Sequence, residues 1–430
     1  MRFTDLRPKR FVPLFIKAML QLYWELIYSV RMGMVKRKSK RILFVAIPEI
    51  HTVRWIRQIS DQNWDIHLFP AIDRGAVHSE MEDVVVHYSF YSKRDGNDYK
   101  VKSIGIPLIS SYITLGMIEI MKKFVPDYRD VQLKWLIGKI KPDIVHSLEF
   151  QHAGYLVLAA KRTFKGKFPV WIATNWGSDI YLFGRLHEHK DRIQQILSSC
   201  DYYSCECCRD ALLAISFGAK EETILPVFPN TGGYDLQRVT ELKHPGPTSE
   251  RRIIMLKGYW GWAYRSLVGL RALERCADIL EGYTVVIYLG FNWEIRIAAE
   301  LFTLNTGIPV TFLPLVSHDE MLSYHGRARI SIGINISDAI STSFLEALVM
   351  GSFPIQTHTS CANEWIEDGR TGILVPPEDP EIIEKAIRRA LTDDALVNQA
   401  AEENWTTAIN RLDENILKLK TLDFYKRVQL

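Results

Sequence analysis

Residues Ser337–Pro377 read SDAISTSFLEALVMGSFPIQTHTSCANEWIEDGRTGILVPP, and their order predicts loop, helix and two short strands in close succession. The apolar run Ile330–Ile334 before them reads as a buried strand that ends near Asn335. The loop then carries Asp338, Ser341, Thr342 and Ser343. A helix follows over Phe344–Gly351, and Pro354–Thr357 and Gly372–Val375 read as strands. Hydroxyls and N–H groups at a helix start suit an anion. Glu346, one turn inside, is placed to accept hydrogen bonds from ligand hydroxyls. By itself, such a stretch is also an ordinary capped helix.

The same alternation extends in both directions. Downstream, the helix Pro380–Thr392 closes the series. Upstream lie Ile253–Gly258, Ser266–Leu280, Tyr283–Gly290, Trp293–Leu301 and Val310–Leu315, alternately strand and helix. Further back, Arg41–Ile47 (RILFVAI), Asp65–Pro70, Val84–Tyr88, Asp143–Ser147 and Val170–Asn175 read as strands, with helices at Val53–Ser60 and Val131–Lys141. Strands alternating with helices imply parallel sheets covered on both faces. Glu241–Glu250 (ELKHPGPTSE) is polar and Pro/Gly-punctuated, the best linker. The expected fold is α/β, with two doubly wound domains, 41–240 and 251–410, facing a central cleft. Residues 411–430 form a C-terminal helix placed to cross back. Ligands bind such sheets at the carboxyl ends of their strands. The apolar stretch Val101–Asp130 reads equally as a lid, a membrane-facing element or packed helices.

Composition narrows the function. The 430 residues are 47% hydrophobic and 24% charged, which excludes disordered and fibrous classes. Six Cys in this length do not make a disulfide scaffold. Cys205-Glu-Cys207-Cys208 lacks a second CxxC or a His pair to complete a zinc set, so buried thiols in a reducing cytosol are expected. The net charge of +3 hides an asymmetry: residues 1–41 carry +9 and the rest −6. A mildly acidic body argues against nucleic acid. Within the arm, Phe11–Val30 is apolar, with Lys17, Gln21, Glu25 and Ser29 four residues apart on one helix face. Lys17 and Glu25 make a transmembrane span costly. Residues 1–40 are therefore expected to lie in an anionic membrane interface, basic flanks on the headgroups, against the alternative of a helix packed on its own domain.

Asp338-x7-Glu346, then Glu-Ala-Leu-x-Met-Gly-x-x-Pro-Ile and Glu-Asp-Gly-x-Thr-Gly-x-Leu-Val-Pro-Pro, resembles the donor-site signature of retaining glycosyltransferases of GT-B architecture, the "glycosyl transferases group 1" family. The family pattern is Glu-x7-Glu, and here Asp338 stands first. The resemblance implies that Glu346 holds the ribose of a sugar nucleotide, that Asp338 sits by the donor sugar, and that Ser341, Thr342, Ser343 and Leu345 border the diphosphate. Lys257-Gly258-Tyr-Trp-Gly261-Trp-Ala-Tyr-Arg265 resembles the family's glycine turn with its basic residues, which implies Lys257 and Arg265 on the diphosphate and Gly258 and Gly261 relaxing the backbone around it. Thr174-Asn-Trp176-Gly177-Ser-Asp179 resembles the acceptor side of the cleft, with Trp176 where the family has His. Glu149, His152 and His51 follow strand ends and are further candidates there.

These implications amount to a hexosyltransferase-type enzyme moving a sugar, with retention, from a nucleotide-diphosphate sugar to a glycan or lipid-linked acceptor in polysaccharide biosynthesis. Neither Asp-x-Asp nor a nicotinamide Gly-x-Gly-x-x-Gly is present, so no metal or other cofactor is expected. The expected location is cytoplasmic, peripheral on the membrane. The alternatives are an epimerase on the same architecture, or a non-catalytic protein that binds sugar nucleotides or glycans.

Overall fold

The computed structural model describes residues 19, 21–26, 28, 39–73, 76–92, 100–259 and 261–429. The basic flanks, Pro13, Lys17, Ser29 and Gly33 of the arm lie outside them.

Two wholly parallel sheets form the body. The first has seven strands: β1 Arg41–Ala46, β2 Asp65–Pro70, β3 Val85–Ser92, β4 Lys102–Leu108, β5 Ile144–Leu148, β6 Val170–Thr174 and β7 Tyr202–Ser204, in the order β4-β3-β2-β1-β5-β6-β7. The second has six: β8 Ile253–Lys257, β9 Thr284–Tyr288, β10 Val310–Leu313, β11 Ala328–Gly333, β12 Phe353–Thr357 and β13 Ile373–Val375, in the order β10-β9-β8-β11-β12-β13. Unbroken apolar runs suit strands covered on both faces. Thus Leu43 and Val45 pack into one core of the first domain, while Ile42 and Phe44 pack into the other. Strand order reverses between β1 and β5 and between β8 and β11. Both reversals open a crevice at the carboxyl ends of the strands, so the topology sets a binding site before any side chain is considered. The expected α/β architecture is the observed one.

The ambiguous stretch 101–130 resolves into β4, the helix Ser111–Phe124 and the start of the helix Tyr128–Ile140. The crossing between domains comes earlier than expected. The helix Leu236–Leu242 already packs on the second domain, through Val239 against Leu322 and Leu348. Within the polar stretch, Thr248 is buried and donates to Gly351 O at 2.8 Å. The chain instead crosses near Tyr234, whose N–H donates to Leu412 O at 2.8 Å beside the returning segment. Proline and glycine there mark a surface loop of the second domain and not the hinge.

After Leu412 the chain returns to the first domain as the helix Glu414–Arg427. Tyr425 accepts from Trp55 Nε1 at 2.9 Å and lies 2.8 Å from His146 Nδ1, which ties this helix beneath β5. Of the arm, Trp24 and Tyr28 are buried against Trp135, and Glu25 pairs with Lys139 at 2.5 Å. Met19, Leu22 and Leu26 face outward. No helix among the described residues is long and apolar enough to cross a membrane.

Candidate functional site

The two crevices face each other across one cavity of about 590 Å³. Ile47 and Glu49 enter it from the end of β1, Glu149 and Gln151 from β5, Lys257 and Tyr259 from β8, and Ser337, Asp338, Ile340 and Ser341 from the loop after β11. The wall from the first domain holds His51, Glu149, His152, Trp176, Gly177 and Asp179; the opposite wall holds Lys257, Asp338, Ser341, Thr342, Ser343 and Glu346. Twelve of the sixteen residues singled out from the sequence therefore meet around one space.

Lys257 is the cation of the second wall. Its Nζ donates to Ser341 Oγ at 3.0 Å, and Ser341 Oγ lies 3.0 Å from Ser343 Oγ. Ser341 is the N-cap of the helix Thr342–Met350, yet its side chain caps none of that helix's N–H groups. The positive end of the helix therefore stays open beside an ammonium, an arrangement complementary to a phosphate. Burial pulls the Lys257 ammonium below its ordinary range, and Asp338 and Glu346 work against that pull. Asp338 is pushed up by burial, with Lys257 opposing, and its Oδ1 accepts from Ala339 N at 3.0 Å. A Cβ on Gly177, whose φ is +63°, would stand 3.2 Å from that oxygen; glycine lets the first wall approach this closely.

Glu346 hangs between two imidazoles. Oε1 lies 3.1 Å from His318 Nε2, and Oε2 lies 3.8 Å from His325 Nε2. Burial pushes its carboxyl up, but the His318 hydrogen bond, both imidazoles and Arg54 outweigh it and hold the group below its usual range. Glu346 thus presents an ionised acceptor inside the cavity. His325 is pushed down to about 4 by burial, as is His51, so both are neutral near pH 7.

Four expectations change. Arg265 does not line this cavity: its guanidinium pairs with Glu378 and donates to Trp262 O and Tyr264 O at 3.0 and 2.9 Å. Seven residues separate it from Lys257, enough to carry it past the crevice to the start of the next helix. With Gly258 and Gly261 it lines a neighbouring hollow of about 280 Å³. Gly258 serves packing, because a Cβ there would meet Ile287 Cγ2 at 2.4 Å. Leu345 is fully buried in the core behind the helix.

On the first wall, Asp179 and Glu149 spend carboxylate oxygens on backbone. Asp179 Oδ2 accepts from Trp176 N at 2.7 Å and Phe150 N at 3.1 Å, and Glu149 Oε1 accepts from His152 N at 2.7 Å. They shape the loops first and border the cavity second.

Long-range packing supplied residues that no spacing revealed: His318, His325, Arg54, Glu206 and Arg209. Arg209, from the first domain, donates to Thr359 O at 2.9 Å and Asp338 O at 2.8 Å in the second. Packing also brings Cys361 to Cys207, with Sγ atoms 3.1 Å apart near Asp210, the one such ligand trio among the described residues. Both Asp210 oxygens already accept, from Arg209 and Asn175, and three donors fall short of a structural zinc set. Cys208 is exposed, against the expectation of buried thiols.

Glu206 lines the cavity with Oε1 accepting from Asn230 N at 2.8 Å, and burial pushes its carboxyl up to about 8. Between pH of about 5 and 8 the folded chain keeps a proton that the unfolded chain has released. Glu206 therefore makes stability fall as pH rises through that window. Glu206→Gln is expected to remove this part of the slope and to raise the thermal midpoint above the parent's on the alkaline side only. Midpoints measured across the window that differ by the same amount at every pH would contradict this.

Residues 41–201 match the family described as Glycosyl transferase 4-like, and residues 272–393 match Glycosyl transferases group 1. No curated protein matches the chain in sequence. Among solved structures, sucrose-phosphate synthase from Thermosynechococcus elongatus superposes with a TM-score of 0.64 at 14% identity, over 90% of this chain and 98% of that one. HepE of Anabaena, in complex with UDP-glucose, gives 0.62 at 11% identity over 90% and 100%. A UDP-forming trehalose-phosphate synthase from Burkholderia xenovorans gives 0.61 at 11% identity over 90% and 99%. At these identities the likeness is one of fold, the GT-B arrangement of two facing domains.

Proposed function

We propose that this chain, whose residues 41–201 match Glycosyl transferase 4-like and whose residues 272–393 match Glycosyl transferases group 1, transfers a sugar, with retention and without a metal, from a nucleotide-diphosphate sugar to a glycan or lipid-linked acceptor. The observation that carries this reading is the open helix start at Thr342 beside Lys257 and Ser341, with ionised Glu346 one turn further on. The diphosphate lies on Lys257 and that helix end, Glu346 accepts from ribose hydroxyls, and Asp338 faces the donor sugar. As the acceptor oxygen bonds the anomeric carbon, the bond to the β-phosphate oxygen breaks and the acceptor's proton leaves with the diphosphate. Charge grows on that leaving group, so a prepositioned ammonium and helix end lower the barrier. The solved structure of HepE with UDP-glucose is consistent with a uridine donor. The net charge of +9 in residues 1–41 favours a peripheral seat on an anionic cytoplasmic membrane face and, with it, a lipid-linked acceptor in polysaccharide assembly.

Thermal-shift titration with sugar nucleotides tests the donor site. A bound donor stabilises the folded chain by about 2.7 kcal/mol at a hundredfold excess over its dissociation constant. Glu346→Gln is expected to lose most of the shift, because the amide offers the ribose one acceptor oxygen where the carboxylate offers two. A full shift in that variant would refute the ribose assignment. Binding without release of nucleoside diphosphate, acceptor present, would leave a binding protein in place of a transferase.

A further inference from the structure

A contact across the domain interface is made by two thiols. Cys207 comes from the first domain, as the N-cap residue of the helix Cys208–Ser216. Cys361 comes from the second domain, in the loop after β12. They stand 154 residues apart in the chain, yet their Sγ atoms share a hydrogen bond at 3.1 Å. Both are buried, in a core that also holds Tyr234 and Leu412, where the chain crosses between the domains. Cys361 is held at φ +52°, a left-handed conformation uncommon for a residue with a side chain. Backbone strain of this kind persists only where the surroundings enforce it, and it gathers at functional sites. The hydrogen bonds around the pair cross the interface as well. Glu364 of the second domain accepts from Cys208 N at 3.0 Å and from Arg209 N at 3.2 Å. Arg209 in turn reaches Thr359 O, on the loop that carries Cys361.

We infer that Cys207 and Cys361 are a reversible oxidation site, whose disulfide clamps the two domains together. Their separation of 3.1 Å exceeds a disulfide bond of about 2.05 Å by only about 1 Å, so closure asks for a small adjustment. A metal is the poorer occupant. Two sulfurs about 2.3 Å from a tetrahedral zinc lie about 3.8 Å from each other, and the third donor, Asp210, already accepts from Arg209 and Asn175. A peroxide serves as the oxidant, and the chemistry balances. It oxidises one thiol to a sulfenic acid and leaves as water. The second sulfur then attacks the sulfenic sulfur, the S–S bond forms, and the displaced hydroxyl takes the second thiol's proton as another water. A dithiol reductant reverses the step by exchange. The hydrogen bond with Cys361 and burial hold the Cys207 thiol above its ordinary range, against Arg209. The thiolate is the reactive form, so the pair stays reduced through brief exposure and closes under sustained oxidant. Once closed, the bond lies beside Thr359, whose carbonyl accepts from Asp338 N at 3.4 Å on the cavity wall. Joined there, the domains no longer part to exchange ligands. The cross-link itself does not depend on the proposed transfer reaction.

Incubation of the full chain with hydrogen peroxide, with and without later dithiothreitol, tests this. Peptide mapping without reductant is expected to join the peptide holding Cys207 to the one holding Cys361. The join should appear in the parent and in Cys208→Ser, and in neither Cys207→Ala nor Cys361→Ser. Fragment masses of the joined parent peptides place the bond at one cysteine each, so the assignment stands even where a variant fails to fold. The oxidised parent is expected to unfold several degrees above the reduced parent, because a cross-link 154 residues apart restricts the unfolded chain. Dithiothreitol should return the midpoint. No cross-link, or one that runs through Cys205 or Cys208, would overturn the site. A cross-link that leaves the midpoint where it was would overturn the clamp. Release of nucleoside diphosphate, acceptor present, is expected to stop in the oxidised chain and to resume on reduction; equal release in both forms would also overturn the clamp. A chain that releases none in either form would count against the proposed transfer alone, and the cross-link and midpoint would still decide this inference.

Discussion

Lys257→Ala is expected to slow sugar transfer by roughly 10²–10³-fold while the protein stays folded. The ammonium stands where β8 ends, beside Ser341 and the open helix start, and Asp338 and Glu346 both act on it. Its removal takes away the fixed positive charge of the second wall just where the leaving diphosphate gains negative charge. A further consequence concerns Asp338. Lys257 is the largest influence opposing the upward push of burial on that carboxyl, so Asp338 should titrate higher in the variant. Transfer is measured as nucleoside diphosphate released in the presence of acceptor. Lys257→Met keeps the stem and loses the charge, and it should be as slow as Lys257→Ala. A Lys257→Met rate near the parent's would show that the stem matters and the charge does not, against the proposed chemistry.

Arg209→Met is expected to cost about 3–5 kcal/mol in denaturant unfolding. Arg209 Nε pairs with the fully buried Asp210 at 2.9 Å, and the same guanidinium donates across the interface to Thr359 O and Asp338 O. It also lies 3.8 Å from the centroid of the Tyr181 ring. Burial alone would weaken its charge; the Asp210 carboxylate outweighs that and holds the proton more firmly than usual. Substitution leaves the Asp210 carboxylate in the interior without its cationic partner, held only by neutral donors such as Asn175 Nδ2 at 2.9 Å. It also frees two carbonyls. Adding Asp210→Asn should restore part of the loss, because the stranded charge goes with it. A loss under about 1 kcal/mol for Arg209→Met would mean that the interface does not depend on this residue. The same variant should lower transfer, since Asp338 is held through its own carbonyl.

The second half was the more legible. Helix Pro380–Thr392 matches its expected bounds, and β12 and β13 lie within a residue of theirs. Apolar periodicity and glycine stops are local properties, so they can be read in order along the chain. Segment 101–130 resisted the same reading because its helix carries apolar residues on nearly all sides, which blurs the period of 3.6.

Two parallel α/β domains with a cleft between them were legible in order along the chain, because apolar runs and a hydroxyl-rich helix start are local; Lys257, Asp338 and Glu346 were brought to one wall by the resemblance of their two stretches to a donor-site signature. Tertiary structure alone decided that Arg265 turns away to Glu378, that Glu149 and Asp179 hold backbone, and that His318 and His325 set the charge of Glu346. A side chain's partner depends on which elements pack beside it, and hydrogen-bond geometry across that packing has no signature in spacing. The same holds for Arg209, whose partners Thr359 and Asp338 lie 150 and 129 residues away.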